Sequence, residues 1–110
     1  LADRESINRY SSQTIVMDES NAKVDIDLCS RTNLNLKIPK LNNFVGDFPT
    51  EMINHFFDTF VKNAKFTCHI NVTGSNSHHL IEVLFKCFGK AFKESIEINS
   101  KIATSTKGIL

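Results

Sequence analysis

The chain has no tryptophan and a single tyrosine, so nine phenylalanines carry nearly all of its aromatic content. A core built on them needs no buried indole or phenol partner. Two prolines and four glycines are too few for a collagen-like or low-complexity chain. The three cysteines, Cys29, Cys68 and Cys87, are odd in number and include no Cys-x-x-Cys pair, which argues against a disulfide framework and against a thiolate zinc site. They read as buried free thiols in a reducing, cytoplasmic setting. In that setting the Asn71-Val72-Thr73 sequon carries no weight. No run of about 18 apolar residues is present, so no membrane span is expected, and no signal peptide is visible. Thirteen basic and twelve acidic side chains leave a net charge of +1, without the basic patch that nucleic-acid binding needs. A glycine-rich nucleotide loop is missing, and so is any internal repeat.

What remains is one small domain of 110 residues with alternating strand and helix patterns. Residues 12–17 and 22–29 read as two strands, the second alternating Val24, Ile26 and Leu28 with Lys23, Asp25 and Asp27. The Asp18-Glu19-Ser20-Asn21 cluster between them makes a hairpin turn. A third strand runs over 33–38 and stops at Pro39, and a polar loop follows from Lys40 to Asp47. Pro49 suits the first turn of a helix, along which Met52, Ile53, Phe56, Phe57, Phe60 and Val61 form an apolar side to about Ala64. Period two returns over 66–72, placing Phe66, Cys68, Ile70 and Val72 on one face and Thr67, His69 and Asn71 on the other. Gly74-Ser75-Asn76 then turns the chain, with Asn76 or Ser77 as cap, into a second helix that runs to about Ile96. Leu80, Ile81, Leu84, Phe85, Phe88 and Phe92 form its apolar side, and the stretch from Ile98 to Leu110 is irregular. The order β-β-β-α-β-α predicts an α+β fold, a sheet with two helices packed on one face. Phe56, Phe60, Leu84, Phe85 and Phe88 are expected between helices and sheet.

The chemistry concentrates at the second helix. His78, His79 and Glu82 begin it, and helix positions i and i+4 share a face, so His78 and Glu82 can grip one divalent ion while His79 points elsewhere and can serve a second. Two histidines at a helix N-terminus are disfavoured as cations, so they suit the neutral, ligating form. His69 lies just upstream in a strand and joins the set by proximity in sequence; His55, inside the first helix, reads as a surface residue. Imidazole and carboxylate without thiolate fit Mn, Fe, Zn or Ni. Ser105-Thr106-Lys107-Gly108 has the hydroxyl, ammonium and glycine N–H of an anion clamp.

Several stretches together resemble imidazoleglycerol-phosphate dehydratases: Ile7-Asn8-Arg9-Tyr10, Met17-Asp18-Glu19, Val24-Asp25-Ile26-Asp27-Leu28, Val45-Gly46-Asp47-Phe48, Thr50-Glu51, Asn63-Ala64, Thr67-Cys68-His69-Ile70, His78-His79-Leu80-Ile81-Glu82 and Ser105-Thr106-Lys107-Gly108. The family has two similar halves, each with one His-His-x-x-Glu motif, and this chain resembles the second. Residues 1–8 correspond to the end of the preceding half's last helix and a linker, and residues 9–110 to the second half-domain, whose fold is similar to the ribosomal protein S5 domain 2-like fold. The run Cys29-Ser30-Arg31-Thr32-Asn33 departs from the family's Ser-Gly-Arg-Pro-Tyr but keeps the arginine, and Thr104 replaces a proline before Ser105.

The resemblance implies a cytoplasmic hydro-lyase of histidine biosynthesis that dehydrates imidazoleglycerol phosphate to imidazoleacetol phosphate. It implies two Mn2+ ions per site, other divalent metals being possible, and self-association into a homo-oligomer of 24 subunits with sites between subunits. The metal ligands would be His69, His78, His79 and Glu82, with Glu82 also the catalytic candidate. Arg9, Arg31, Ser105 and Lys107 would bind the substrate phosphate, and neither nucleic acid nor membrane would be a partner. The alternative is a non-catalytic metal-binding half-domain or inactive fragment, because the first half's motif is missing from these 110 residues.

Overall fold

The computed structural model describes residues 7–98; the expectations for Ser105 and Lys107 lie outside them. Strands β1 (Tyr10–Met17) and β2 (Ser20–Asp27) form a hairpin in register from Tyr10 opposite Asp27 to Met17 opposite Ser20. Its turn is only Asp18-Glu19, with Asp18 at φ +50°, a conformation that Asp tolerates better than most residues. Strand β3 (Asn33–Lys37) is followed by a two-strand ribbon, β4 (Phe44–Val45) and β5 (Phe48–Pro49), then by helix α1 (Met52–Ala64), strand β6 (Thr67–Thr73) and helix α2 (Ser77–Ile96). The main sheet has the order β1-β2-β6-β3, with β6 antiparallel to β2 and parallel to β3. A parallel pair needs a crossover, and α1 provides it.

Alternation divides the sheet into two faces. Ala22, Val24, Ile26, Cys68, Ile70 and Val72 are buried, and the helices cover them. The other face carries Ser12, Asp25, Asn35, His69 and Asn71, and no described element covers it. Phenylalanine joins the helices to each other. Phe57 packs against Phe85 and Phe88, with ring centroids 5.4 and 5.0 Å away, and Phe60 against Phe88 and Phe92. Residue numbers rise together along both helices, so α1 and α2 run in the same direction and their N-termini lie at the same end of the sheet. All three cysteines are free; burial pushes Cys68 up to about 12 and also raises Cys87, whereas the Thr67 hydroxyl lowers half-buried Cys29. Among the described residues no helix is long and apolar enough to cross a membrane.

The sheet with two helices on one face is as expected, and three local details differ. Residues 40–47 include strand β4 rather than being loop throughout, and Pro49 belongs to β5, so α1 starts three residues later, at Met52. Of the core expectation, Leu84 and Phe88 are buried, Phe60 and Phe85 are partly buried, and Phe56 is 43% exposed, as is Met52 at 44%. The physical reason is the width of the contact. A helix on a sheet buries a stripe, here Ile53, Phe57 and Val61, and the six apolar residues of α1 exceed what that stripe can hold. Phe57→Ala should therefore cost roughly 3–5 kcal/mol in urea unfolding, and Phe56→Ala clearly less. Equal losses would place both rings in the core.

Candidate metal centre

The end of the sheet at which both helices begin is tied together by one carboxylate. Glu19, in the hairpin turn, accepts at Oε2 from the backbone N–H groups of Ser75 (3.0 Å) and Asn76 (3.2 Å) and from the Ser20 hydroxyl, while Oε1 meets His79 Nδ1. These contacts, the Ser20 hydroxyl and His79 first, hold the Glu19 carboxyl down to about 2. Gly74 permits the approach. It has φ +146°, and a Cβ there would collide with Ser20 Oγ and stand 2.8 Å from Glu19 Oε2 and 2.9 Å from Leu80 Cδ2. Asn76 is the N-cap of α2, its side chain accepting from the His79 backbone N–H at 3.0 Å. Ser77 Oγ instead accepts from the Asn42 N–H at 3.0 Å and so anchors the chain that leads into the β4–β5 ribbon.

On this base the His-His pair splits as helical geometry requires. His78 Nε2 and Glu82 Oε1 are 3.7 Å apart, too far for a hydrogen bond, yet a span that two metal–ligand bonds of about 2.1 Å can bridge. They line a cleft of about 360 Å³ with Val45, Gly46, Phe48 and Ile81. The Glu82 Oε2 atom stands 3.6 Å from Lys86 Nζ. His79 faces the hairpin turn, where Asp18 Oδ2 is 3.6 Å from its Nε2. The Glu19 contact raises its pKa, with help from Asp18 and Glu82. A raised histidine stabilises the fold below the ordinary imidazole pKa and loses that contribution as pH rises through its own, whereas the depressed Glu19 loses its contribution only as pH falls toward about 2. Metal at Nε2 needs the neutral ring, so proton and metal compete there. The donor set, imidazole nitrogen and carboxylate oxygen at an exposed end, fits divalent cations. Among the described residues, however, no group of three or more His, Cys, Asp or Glu side chains forms a cage, so any ion held here needs further ligands.

The remaining candidates lie elsewhere. His69 is exposed on the uncovered sheet face, opposite Asp25 and Asn35, and four residues back along β6 from the strand end at Thr73. Within one chain the structure does not group it with His78 and His79. His55 is exposed in α1 near its start, on the helix side and at the same end as the His-His pair. His55 lines a separate groove with Met52, Phe56 and Phe60, as a surface residue would. Arg9 and Arg31 occupy the opposite end of the sheet. Arg9, at φ +70°, stacks 4.9 Å from the Tyr10 ring centre and pairs its Nε with Asp27 Oδ1 at 3.0 Å, and that hydrogen bond raises its pKa. Arg31 is exposed after β2, its carbonyl accepting from Thr67 Oγ1 at 3.2 Å. The length of β1, eight residues, separates the two ends by roughly 26 Å at about 3.3 Å per residue. One copy therefore cannot close Arg9 and His78 around one small molecule. Glu19 is the residue that sequence reasoning missed. It was marked only by its place in a turn cluster and in the Met17-Asp18-Glu19 stretch, and nothing tied it to His79, sixty positions on.

A family model described as imidazoleglycerol-phosphate dehydratase matches residues 1–92. An imidazoleglycerol-phosphate dehydratase of Methanosarcina mazei is 43% identical over 110 residues, and one of Listeria monocytogenes serotype 4a is 44% identical over 113 aligned positions. Each match covers the whole of this chain and 58% of the relative, so the chain spans little more than half the length of these curated relatives. A crystal structure of the Staphylococcus aureus N315 dehydratase superposes with a TM-score of 0.84 at 36% identity, over 88% of this chain and 57% of that one.

The tight turn makes a stability prediction. Gly74→Ala should cost about 1–3 kcal/mol, since it combines a strained φ with the lost approach of Glu19; Asn76→Ala should cost about 1 kcal/mol through the lost cap. Urea unfolding measures both. An unchanged midpoint for Gly74→Ala would show that the hairpin does not need this close contact.

Proposed function

The chain belongs to the imidazoleglycerol-phosphate dehydratase family, and on that premise we propose that it is a metal-binding half-domain, inactive alone, that contributes to dehydration of imidazoleglycerol phosphate to imidazoleacetol phosphate in histidine biosynthesis. The observation that carries this reading is the open pair His78–Glu82, beside a His79 held on a different face of the same helix turn. His78 and Glu82 serve one ion and His79 a second, Mn2+ being the expected metal. When bound, such an ion supplies Lewis-acid polarisation of the substrate's imidazole. Glu82 acts first as a ligand and carries any acid–base duty second. His69 is the histidine expected beside His79, and from the uncovered sheet face it would serve that ion as a ligand supplied by another copy.

Arg9 and Arg31 hold the substrate phosphate, with Ser105 and Lys107 completing the clamp. Charge-assisted hydrogen bonds from guanidinium and ammonium suit that anion. Since phosphate and metal groups stand at opposite ends of one chain, a working site draws on several copies, in keeping with a large homo-oligomer, 24 subunits being the expected number. Residues 1–8 are then the linker from the preceding half and residues 9–110 the second half-domain.

The test joins this chain to the N-terminal portion of a relative and measures imidazoleacetol phosphate formation with Mn2+, alongside the 110-residue chain alone. The joined protein should turn over substrate and the chain alone should not. His78→Ala and Glu82→Ala in the joined protein should each lower the rate at least about 100-fold and reduce bound Mn2+. His69→Ala should lower bound Mn2+ in the same way, whereas His55→Ala should leave it unchanged. A joined protein that folds and binds Mn2+ but forms no product would establish the non-catalytic reading instead.

A further inference from the structure

Glu19 divides its two oxygens. Oε2 alone accepts from Ser75 N–H, Asn76 N–H and the Ser20 hydroxyl, which suffices to fasten the hairpin turn to the start of α2. Oε1 is left for the His79 ring at Nδ1. An ionised carboxylate only accepts, so this contact requires the proton on Nδ1 and leaves the lone pair on Nε2 when the ring is neutral. Nε2 points toward the exposed edge, where Asp18 Oδ2 at 3.6 Å adds negative potential without reaching hydrogen-bond distance. The backbone of His79 is held independently by the Asn76 side chain, so main chain and ring are both fixed. His78 has no such arrangement: its nearest carboxylate, Glu82, stands 3.7 Å from Nε2.

We propose that Glu19 is a positioning residue for the metal centre, holding His79 by Nδ1 so that Nε2 is the ligating atom. This rests on the metal reading given above for His79. It assigns the tautomer, the ring orientation and the ligating nitrogen from contacts within this chain. A carboxylate behind a ligating imidazole fixes the ring and strengthens its donor atom. Gly74 belongs to the same device, because only a residue without a Cβ lets Glu19 reach α2.

Long-range 1H–15N spectra of the 15N-labelled chain, recorded above the ring's titration, read the tautomer directly. His79 should show a single neutral form protonated at Nδ1, and His78 the mixture of a free imidazole. Glu19→Gln supplies one amide oxygen where the carboxylate has two, so it should abolish the single tautomer. It should also raise the Mn2+ concentration that broadens the His79 signals by about 10- to 100-fold. Ser20→Ala removes a contact to Oε2 only and should keep the tautomer, which separates ring positioning from fastening of the turn. A wild-type His79 protonated at Nε2, or a tautomer unchanged in a folded Glu19→Gln variant, would overturn the proposal. A fixed Nδ1–H tautomer in the chain, together with a joined protein that takes up no Mn2+, would overturn the ligand role through the metal reading beneath it, so tautomer and metal uptake tell these failures apart.

Discussion

The carboxylate of Glu19 joins three parts of the chain that are far apart in sequence: the β1–β2 turn, the Gly74 bend after β6, and the first turn of α2. Everything chemical at this end depends on that junction. It sets where α2 begins, and the start of α2 decides which residues fall on which face. With Asn76 as cap, His78 and Glu82 come one above the other while His79 turns toward the hairpin. Rotating the helix by one residue, about 100°, would carry His79 away from Glu19, although the i, i+4 pair would turn as a unit. Buried phenylalanines hold α1 against α2, but they would tolerate such a rotation less specifically than a hydrogen-bonded cap.

The second constraint is length. The sheet keeps the histidine end and the arginine end of one copy roughly 26 Å apart, and among the described residues neither end holds a full set of ligands. At the histidine end the described residues offer pairs of donors, not a cage. At the other, Arg9 is already engaged with Asp27. Incomplete sites at both ends of a rigid unit are economical if copies meet end to end, because assembly then closes both at once. On the proposed reading metal binding would be coupled to assembly, since ligands from separate copies would converge only in the assembled state.

Much of this was legible in the sequence. Alternation in residues 22–29 and 66–72 gave the buried face of the sheet residue by residue, because a strand's period of two leaves little choice. The His78–Glu82 pair was legible for the same reason on a helix. The alternation that placed Cys68 and Ile70 in the core also placed His69 on the opposite face, where the structure has it. Met52 and Phe56 looked like core because composition cannot say how wide a stripe the sheet will accept. The order β1-β2-β6-β3 and the link from Glu19 to His79 are long-range pairings, and nothing local encodes them. Gly74 was read as turn chemistry alone; its closeness to Ser20 and Glu19 is tertiary information.

The central claim is that a working site takes its metal-binding and phosphate-binding groups from different copies. Subunit mixing tests it most directly in a protein carrying both halves. His78→Ala and Arg9→Ala variants, each inactive alone, are dissociated, combined in equal amounts and reassembled with Mn2+. If the groups come from different copies, mixing restores roughly a quarter of the wild-type rate, the share of interfaces that pair two intact contributions by chance. If one chain builds the whole site, every site keeps one defect, and the mixture stays as inactive as its parts.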